Sequence, residues 1–518
     1  MAKKKNDNTL QYLQMPLPEG RRYSKMTKVA FGGLNKRDTI DSGDLSVAMN
    51  ISTNEYPCLT PAYTHVNVIK YSNPISMSAF DNFVVIVYRE DSAIKIAYIT
   101  EDEYGDVKDV YTGILKAEGA TEEDENIPRS IVQFNVYQEG DTGTIIDGTF
   151  TKRLLIFPDK KSMYFNIAED SETSEENKTF ELYDMDDAEN GIVTPPIKYA
   201  TVHLSRVFGV SDDCVFASGF NDYTNWELDN VGDDEDDGYN EKNAWMSQTQ
   251  SNTKADGKFT GIINYQGHIV CFKRDYMHEI YNNKNPFRIV DIYAEGTIDN
   301  RSIQDVDGKL IFVSDDNVKI YTGSNPRIIG HNLNMPKYTY AVSGTDNRNY
   351  YLYCEDGKGN KYLYVYDTYT ELWSEQSVTS RILSFANNQN GMYMLHKSGH
   401  LRKVTDFSGG SWYFETDLIT NKTVDIKHIK KLQMLVEATD ETWMKVYILY
   451  DDEKFDELTS DERDNHLVYH SKKSGKFPIR VKPRKTANYG FKLRVEGMGY
   501  AKLYELEIFV ESGGDLYV

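Results

Sequence analysis

Three carboxylates stand at alternate positions in the stretch DDEDDG: Asp233, Glu235 and Asp237, just ahead of Gly238. Hard oxygen ligands at this spacing, with a glycine to let the chain turn, are how a calcium loop opens. The twelfth position of such a loop should carry a bidentate glutamate, and here it is Ala244. Asp233, Glu235 and Asp237 are therefore metal candidates without their closing ligand, set against the ordinary reading of a solvated acidic loop.

Other chemistry-bearing patterns stop short in the same way. DGKGNKY, around Gly357, has glycines but lacks the GxxxxGK[ST] spacing and following helix that would cradle a phosphate. HEIYN at His278 is not HExxH, and no GxSxG nucleophile elbow occurs. SDDNVKIYTG from Ser314 approaches the Ser-x-Asp-x-Gly-x-x-Trp box of sialidase turns but lacks its Gly and Trp. The ten histidines are scattered singly and read as structural residues in strands. Trp226 and Trp373 follow turn-rich segments near the ends of hairpins, where an aromatic packs between neighbouring units; a stacking platform for sugar or nucleic acid is the sharper alternative. Cys58, Cys214, Cys271 and Cys354 form no CxxC, so neither a zinc site nor a disulfide framework is expected, and the chain reads as one that folds in a reducing cytoplasm. No catalytic residue and no cofactor is expected.

The elements that would position any such residue are strands. The chain has 518 residues, too many for one ordinary core, and its 38 tyrosines against 14 prolines favour half-buried strands in which the ring packs and the hydroxyl stays wet. Seven segments repeat one design of polar turn, apolar strand, charged or Gly/Asp turn and alternating strand. They begin at Phe80, Phe150, His203, Asn264, Asp305, Asp346 and Asn387, and the last four are 41 residues apart. About 40 residues per hairpin unit is the period of a four-stranded propeller blade. The longer early spacings hold acidic inserts such as EDEYGDVKD and ELDNVGDDEDDGYNEKNAW, expected as rim loops. After residue 421 the period ends, and five longer alternating strands predict a β-sandwich. The expected fold is all-β: residues 1–70 an extended arm, 71–420 a six- or seven-bladed β-propeller, and 421–518 a C-terminal β-sandwich.

Net charge is −22, which argues against a protein that coats DNA but suits a wall past which a duplex slides. MAKKKNDN is basic with no apolar run behind it, so no secretory signal is expected, and no stretch reaches the length of a membrane span.

Four stretches, in order, carry a resemblance. They are GGLNKRDTIDSGDLSVAMNISTNEYPCLTPA (32–62), SRVFGVSDDCVFASGFNDYTNWE (205–227), NYYLYCEDGKGNKYLYVYDTYTELWSE (349–375) and KPRKTANYGFKLRVEGMGYAKLYELEIFVESGGD (482–515). Together they resemble the β-propeller tail and neck proteins of tailed bacteriophages, the packaged-DNA stabilisation, tail-hub and nozzle-like proteins. The acidic inserts are longer here, and CLTP stands where that leader often has a basic turn. The resemblance implies a non-enzymatic virion protein of the neck or tail, assembled in the bacterial cytoplasm. Its partners would be other copies in a ring, six expected, a portal or head-tail adaptor, further tail or fibre proteins, and genomic DNA passing without sequence-specific binding. The alternative is a carbohydrate-binding or carbohydrate-cleaving propeller acting as a receptor-binding tail module. An intracellular scaffold propeller lacks the Gly-His and Trp-Asp repeats of the commonest class.

Overall fold

Each of the seven hairpins becomes the second and third strands of a four-stranded blade, the sixth blade continuing into a larger sheet. The computed structural model describes residues 24–512 except 30, 38–42, 92, 103–106, 116–127, 140–144, 159–161, 168–181, 188, 190, 229–241, 248–256, 294, 336, 406–409, 421–426, 482 and 484–487. Among these, the propeller sheets occupy 74–115, 130–184, 199–246, 259–293, 304–328, 338–376 and 382–405, and are called blades one to seven. First strands pack together from blade two to blade four and from blade five to blade seven, while shared apolar clusters join blades one and two and blades four and five. Ile382–Asn388 of blade seven meets Pro74–Phe80 of blade one, so the row closes into a ring. The turns between first and second strands use left-handed backbone: Gln266–Gly267 and Asp307–Gly308 both have positive φ, the geometry of a tight hairpin turn matched to the strand twist.

The sequence of blade seven supplies only three strands. Its fourth comes from the N-terminal arm, whose strands are β1 (Ser24–Val29), β2 (Leu45–Met49), β3 (Ile51–Ser52), β4 (Thr60–Pro61) and β5 (Thr64–Lys70). β5 runs antiparallel to His400–Thr405 and completes the blade. β1 goes elsewhere, to the edge of the C-terminal sandwich beside Ala501–Ser512. One sandwich sheet is thus β1, Ala501–Ser512, Lys427–Ala438 and Gly475–Val481. The other holds Ser411–Thr416, Phe491–Met498, Trp443–Tyr450 and Leu467–Lys472.

Between these extremes, β2 joins the two bodies. It pairs antiparallel with Ser411–Thr416 of the sandwich and, through Met49 and Glu375, parallel with the outer strand of blade six. The result is a single nine-stranded sheet running from the propeller into the sandwich. The arm is buried for most of this path: Phe31, Leu34, Leu45, Ala48, Ile51 and Leu59 share one core with Trp373 of blade six and Trp412, Phe414 and Leu503 of the sandwich. Gly33 is glycine because a Cβ there would lie 2.9 Å from both the Leu372 Cβ and the Trp373 nitrogen. Where the arm leaves the sheet, Asn50 takes φ 55°, and its side chain donates to Ser411 O at 2.8 Å and accepts from Ser377 N at 2.8 Å. Asparagine tolerates this backbone better than most residues.

The arm's apolar residues belong to the largest apolar cluster among the described residues. One expectation is corrected. The tyrosine hydroxyls are not generally wet: Tyr350, Tyr351 and Tyr353 are buried on the second strand of blade six. They donate to Ser302 O, Asp346 Oδ2 and Glu355 Oε1 at 2.8, 2.9 and 2.5 Å. The wedge of space between diverging blades takes a long flat ring, and the hydroxyl then finds its partner inside the protein. The sandwich also has a sixth strand from its own stretch, Leu467–Lys472, entered from a short helix, Ser460–His466.

Leu59→Ala should lower unfolding free energy by about 2–5 kcal/mol, the usual cost of a cavity in a sealed core. Removal of residues 1–62 should abolish a single cooperative transition. Denaturant titration followed by tryptophan fluorescence tests both; a Leu59→Ala loss below about 0.5 kcal/mol would show that the arm does not hold this core.

Candidate functional site

Charged, buried and cross-element contacts come together where the arm crosses blade six. Asp367, at the end of the third strand of that blade, is 2% exposed. Its carboxylate accepts from Arg348 Nη2 at 2.8 Å and Nε at 3.3 Å, and from the backbone N–H of Tyr369 at 2.9 Å and of Thr370 at 3.4 Å. Burial pushes the Asp367 carboxyl up, but the Arg348 guanidinium and these N–H donors outweigh it and hold the group below the usual aspartate range. Arg348 Nη2 also donates to Asn54 O at 2.8 Å, and Thr53 Oγ1 reaches Asp367 Oδ2 at 3.4 Å. Blade six therefore grips the turn after β3 through one arginine–aspartate pair. A second grip lies upstream, where Lys36 Nζ stands 2.6 Å from Glu375 and over the faces of Tyr362 and Tyr364.

A small polar cleft opens between the arm and this blade, lined by Thr53, Asn54, Tyr63, Asn349, Asp367 and Gln376 among others. It has water-sized dimensions, too small for an organic substrate.

Around the ring, every blade interface carries a polar cross-link. In chain order these are Asp81–Lys152 (2.7 Å), Arg153–Tyr223 (2.5 Å), Asp212–Lys258, Arg274–Asp315 (2.6 Å), Arg327–Glu371 (2.5 Å), Glu355–Arg381 and Glu101–Lys403 (2.5 Å). The exposed pairs contribute little each, about 0–1 kcal/mol. Glu355 and Glu101 are buried at their interfaces, and there the pairing prevents an uncompensated charge.

One further group has the composition of a catalytic cluster. Glu279, 5% exposed, accepts from the hydroxyls of Tyr281 and Tyr321 and lies 3.4 Å from His268 Nε2, whose ring stacks on Tyr281 at 4.7 Å. Tyr281 belongs to blade four and Tyr321 to blade five, so the carboxylate ties two blades together. Burial first and Glu279 second push the Tyr281 hydroxyl up to about 12, so it stays protonated and donates at neutral pH.

The metal candidates Asp233, Glu235 and Asp237 lie outside the described residues. Among the described residues no three His, Cys, Asp or Glu side chains are grouped to hold a metal. His278 is 2% exposed within the strand Met277–Tyr281, and DGKGNKY is a turn in which Asp356 Oδ1 accepts from Lys358 N and Asn360 N, both at 2.9 Å. Ser314 of SDDNVKIYTG caps its own turn, accepting from Asn317 N at 3.3 Å. Trp373 is buried with Nε1 donating to Ile329 O at 2.8 Å, and Trp226 packs with blades two and three, both structural positions. None of the four cysteines is in a disulfide. No helix among the described residues is long and apolar enough to cross a membrane.

The fold and this junction define a seven-bladed β-propeller fused through one sheet to a β-sandwich. Among solved structures, the chain is similar to BamB from Moraxella catarrhalis, with a TM-score of 0.32 and 10% identity over 65% of this chain and 97% of that one. It is also similar to the WD40 domain of Toxoplasma gondii coronin, with a TM-score of 0.28 and 9% identity over 72% and 74% of the two chains. A third, acylaminoacyl peptidase from Pyrococcus horikoshii, gives a TM-score of 0.32 and 12% identity over 66% and 58%. No family model matches the chain, and no curated protein sequence matches it.

Asp367→Asn should destabilise the protein at pH 7 by about 1–3 kcal/mol, because Arg348 loses its charged acceptor. The folded carboxyl titrates below its unfolded value, so this stabilisation is complete above about pH 4 and lost as pH falls further. The gap between wild type and variant should therefore close in acid, measured as urea midpoints at pH 7 and pH 3. A gap that persists unchanged at pH 3 would place the effect in packing and not in charge.

Proposed function

We propose that this chain is a non-enzymatic structural protein of a tailed-bacteriophage particle. Its copies form a ring in the neck or tail around the DNA exit channel, help retain packaged DNA and attach tail components. The observation that carries the reading is the nine-stranded sheet, which makes propeller and sandwich one mechanical body. A tail component transmits load between neighbours above and below it, and two domains on a flexible linker would yield first. The four ordered stretches that resemble neck and tail proteins support the same reading, and each falls on a part of this frame: the arm, blade three, blade six and the closing strands of the sandwich.

The charge distribution is also consistent. Residues 421–518 hold 17 basic and 17 acidic side chains, so the net charge of −22 resides in the arm and propeller. A negative propeller does not bind phosphate backbone and lets a duplex pass. Portal, adaptor and fibre proteins are the partners this role requires.

Negative-stain electron microscopy and mass photometry of the full chain should show a closed ring of identical copies, and gel shift at moderate salt should show no retention of duplex DNA. A strict monomer at micromolar concentration that also fails to join any particle would sink the reading, as would tight DNA binding.

A further inference from the structure

Blade seven is closed by β5, and two imidazoles lie beside that closure. His65 sits on β5 opposite Val404, and His396 ends the strand Gly391–His396 opposite Ile382. His396 is 4% exposed, and its enclosed ring nitrogens have no side-chain partner, the Ser380 backbone being the one group that favours its charge; His65 is half-buried, with its Nε2 enclosed and unpaired. An imidazole without an acceptor in an apolar setting is stable only in its neutral form. Burial first, and the Arg402 guanidinium second, lower both rings to about 4.

The surroundings offer a proton no compensation. From the neighbouring strand His400–Thr405 come Arg402, which donates to Asn67 Oδ1 at 3.1 Å, and His400, which pairs opposite Lys70 of β5. Just before Ile382, Arg381 is already committed to Glu355. Blade six contributes Tyr351, Tyr353, Leu363 and Val365 to the cluster that also holds Met394 and Val404. Among the described groups, the charges that reach the two rings are Arg402, His400 and the rings themselves, all cationic when charged; the Ser380 backbone alone favours protonated His396, weakly.

We propose that His65 and His396 form an acid-sensitive latch: their protonation releases β5 from blade seven and opens the propeller at its closure, while the sandwich stays intact. Released β5 exposes His65 to water, so that ring regains an ordinary imidazole affinity for protons near pH 6.5; His396, one strand further in, loses the neighbouring His65 ring that opposes its own protonation. The docked form binds protons less tightly than the released form. Stability of the closure is therefore complete above about pH 6.5 and declines as pH falls towards 4, where the effect levels off. Protonation of His65 alone shifts the docking equilibrium by up to about 300-fold across that window. The window is distinct from that of the blade cross-links. Asp81, Asp212 and Glu355 are held below the ordinary carboxylate range, so their pairs persist until lower pH.

Hydrogen exchange of the full chain, read by mass spectrometry at pH 7.5 and 5.0 and corrected for the intrinsic pH dependence, tests the latch. Peptides covering residues 64–70 should lose protection by at least tenfold at pH 5.0, while peptides covering 501–512 keep theirs. Arg402→Gln retains a donor for Asn67 but removes the cation, so it should move the opening to lower pH; a merely structural Arg402 would move it to higher pH or weaken β5 at every pH. His65→Leu with His396→Met should flatten the response between pH 7.5 and 5.0. Unchanged protection of β5 in the wild type, or loss of β5 and sandwich protection together, overturns the proposal without reference to any variant.

Discussion

Everything in this molecule depends on a strand of five residues having two partners. A propeller blade ends in an outer strand with unpaired backbone groups, and a sandwich sheet ends in another; each is an edge that must be covered or blunted. β2 covers both. Its backbone continues the hydrogen-bonded network from Leu372–Gln376 into Ser411–Thr416, and Leu45 and Ala48 complete the core beneath. Two bodies that could have hinged on a linker instead share one twisted sheet. Because Leu34, Trp373, Phe414 and Leu503 belong to the same cluster, separating the bodies would expose core and not interface.

The ring is closed by a different logic. Blades one to six each complete themselves locally, and their interfaces combine apolar packing with one polar cross-link apiece. The seventh blade borrows β5, so the ring is finished only when the arm is in place. Closure by a strand from the opposite terminus makes the propeller cooperative where it would otherwise be a row of semi-independent units. It also concentrates vulnerability at one seam, beside which His65 and His396 lie. Polar groups left without partners in a core are costly, and setting one on the borrowed strand and one in the blade it completes makes that cost local.

The blades were legible because each hairpin carries its own period. Turn residues such as Asp307–Gly308 and alternating apolar runs such as KLIFV are written within about twenty residues, and tertiary context does not alter them. The arm was not legible for the opposite reason. Its buried residues Phe31, Leu34, Leu45, Ala48, Ile51 and Leu59 follow neither a two- nor a 3.6-residue repeat, since the surface they face changes from sandwich to blade six and back along the way. The junction was equally hidden: Arg348, Asp367 and Asn54 come from both ends of the chain, and only the fold brings them together. Leu467–Lys472 went unread because it follows a polar helix, although the pair Thr459 and Glu462 spells a capping box that marks where that helix begins. The tyrosines misled by chemistry, not by pattern: a hydroxyl that suits solvent also suits a backbone carbonyl in the next blade.

The linear order of the arm mirrors the spatial order of what it binds. β1 lies on the sandwich, β2 between sandwich and blade six, and β5 on blade seven, which stands beside blade six. Only β3 and β4, with the isolated bridge from Leu59 back to Leu503, interrupt the progression, and that detour gives Arg348 the carbonyl it grips. Glycine at position 33, asparagine at 50 and the proline-containing turn before Leu59 then stop looking like loop composition. Each marks a place where the chain changes partner: close approach to Trp373, exit from the shared sheet, and return to the sandwich. A segment selected to visit three surfaces in sequence cannot keep any one surface's period. Its irregularity is therefore the expected signature of a strand that locks domains together, and not of one that merely connects them.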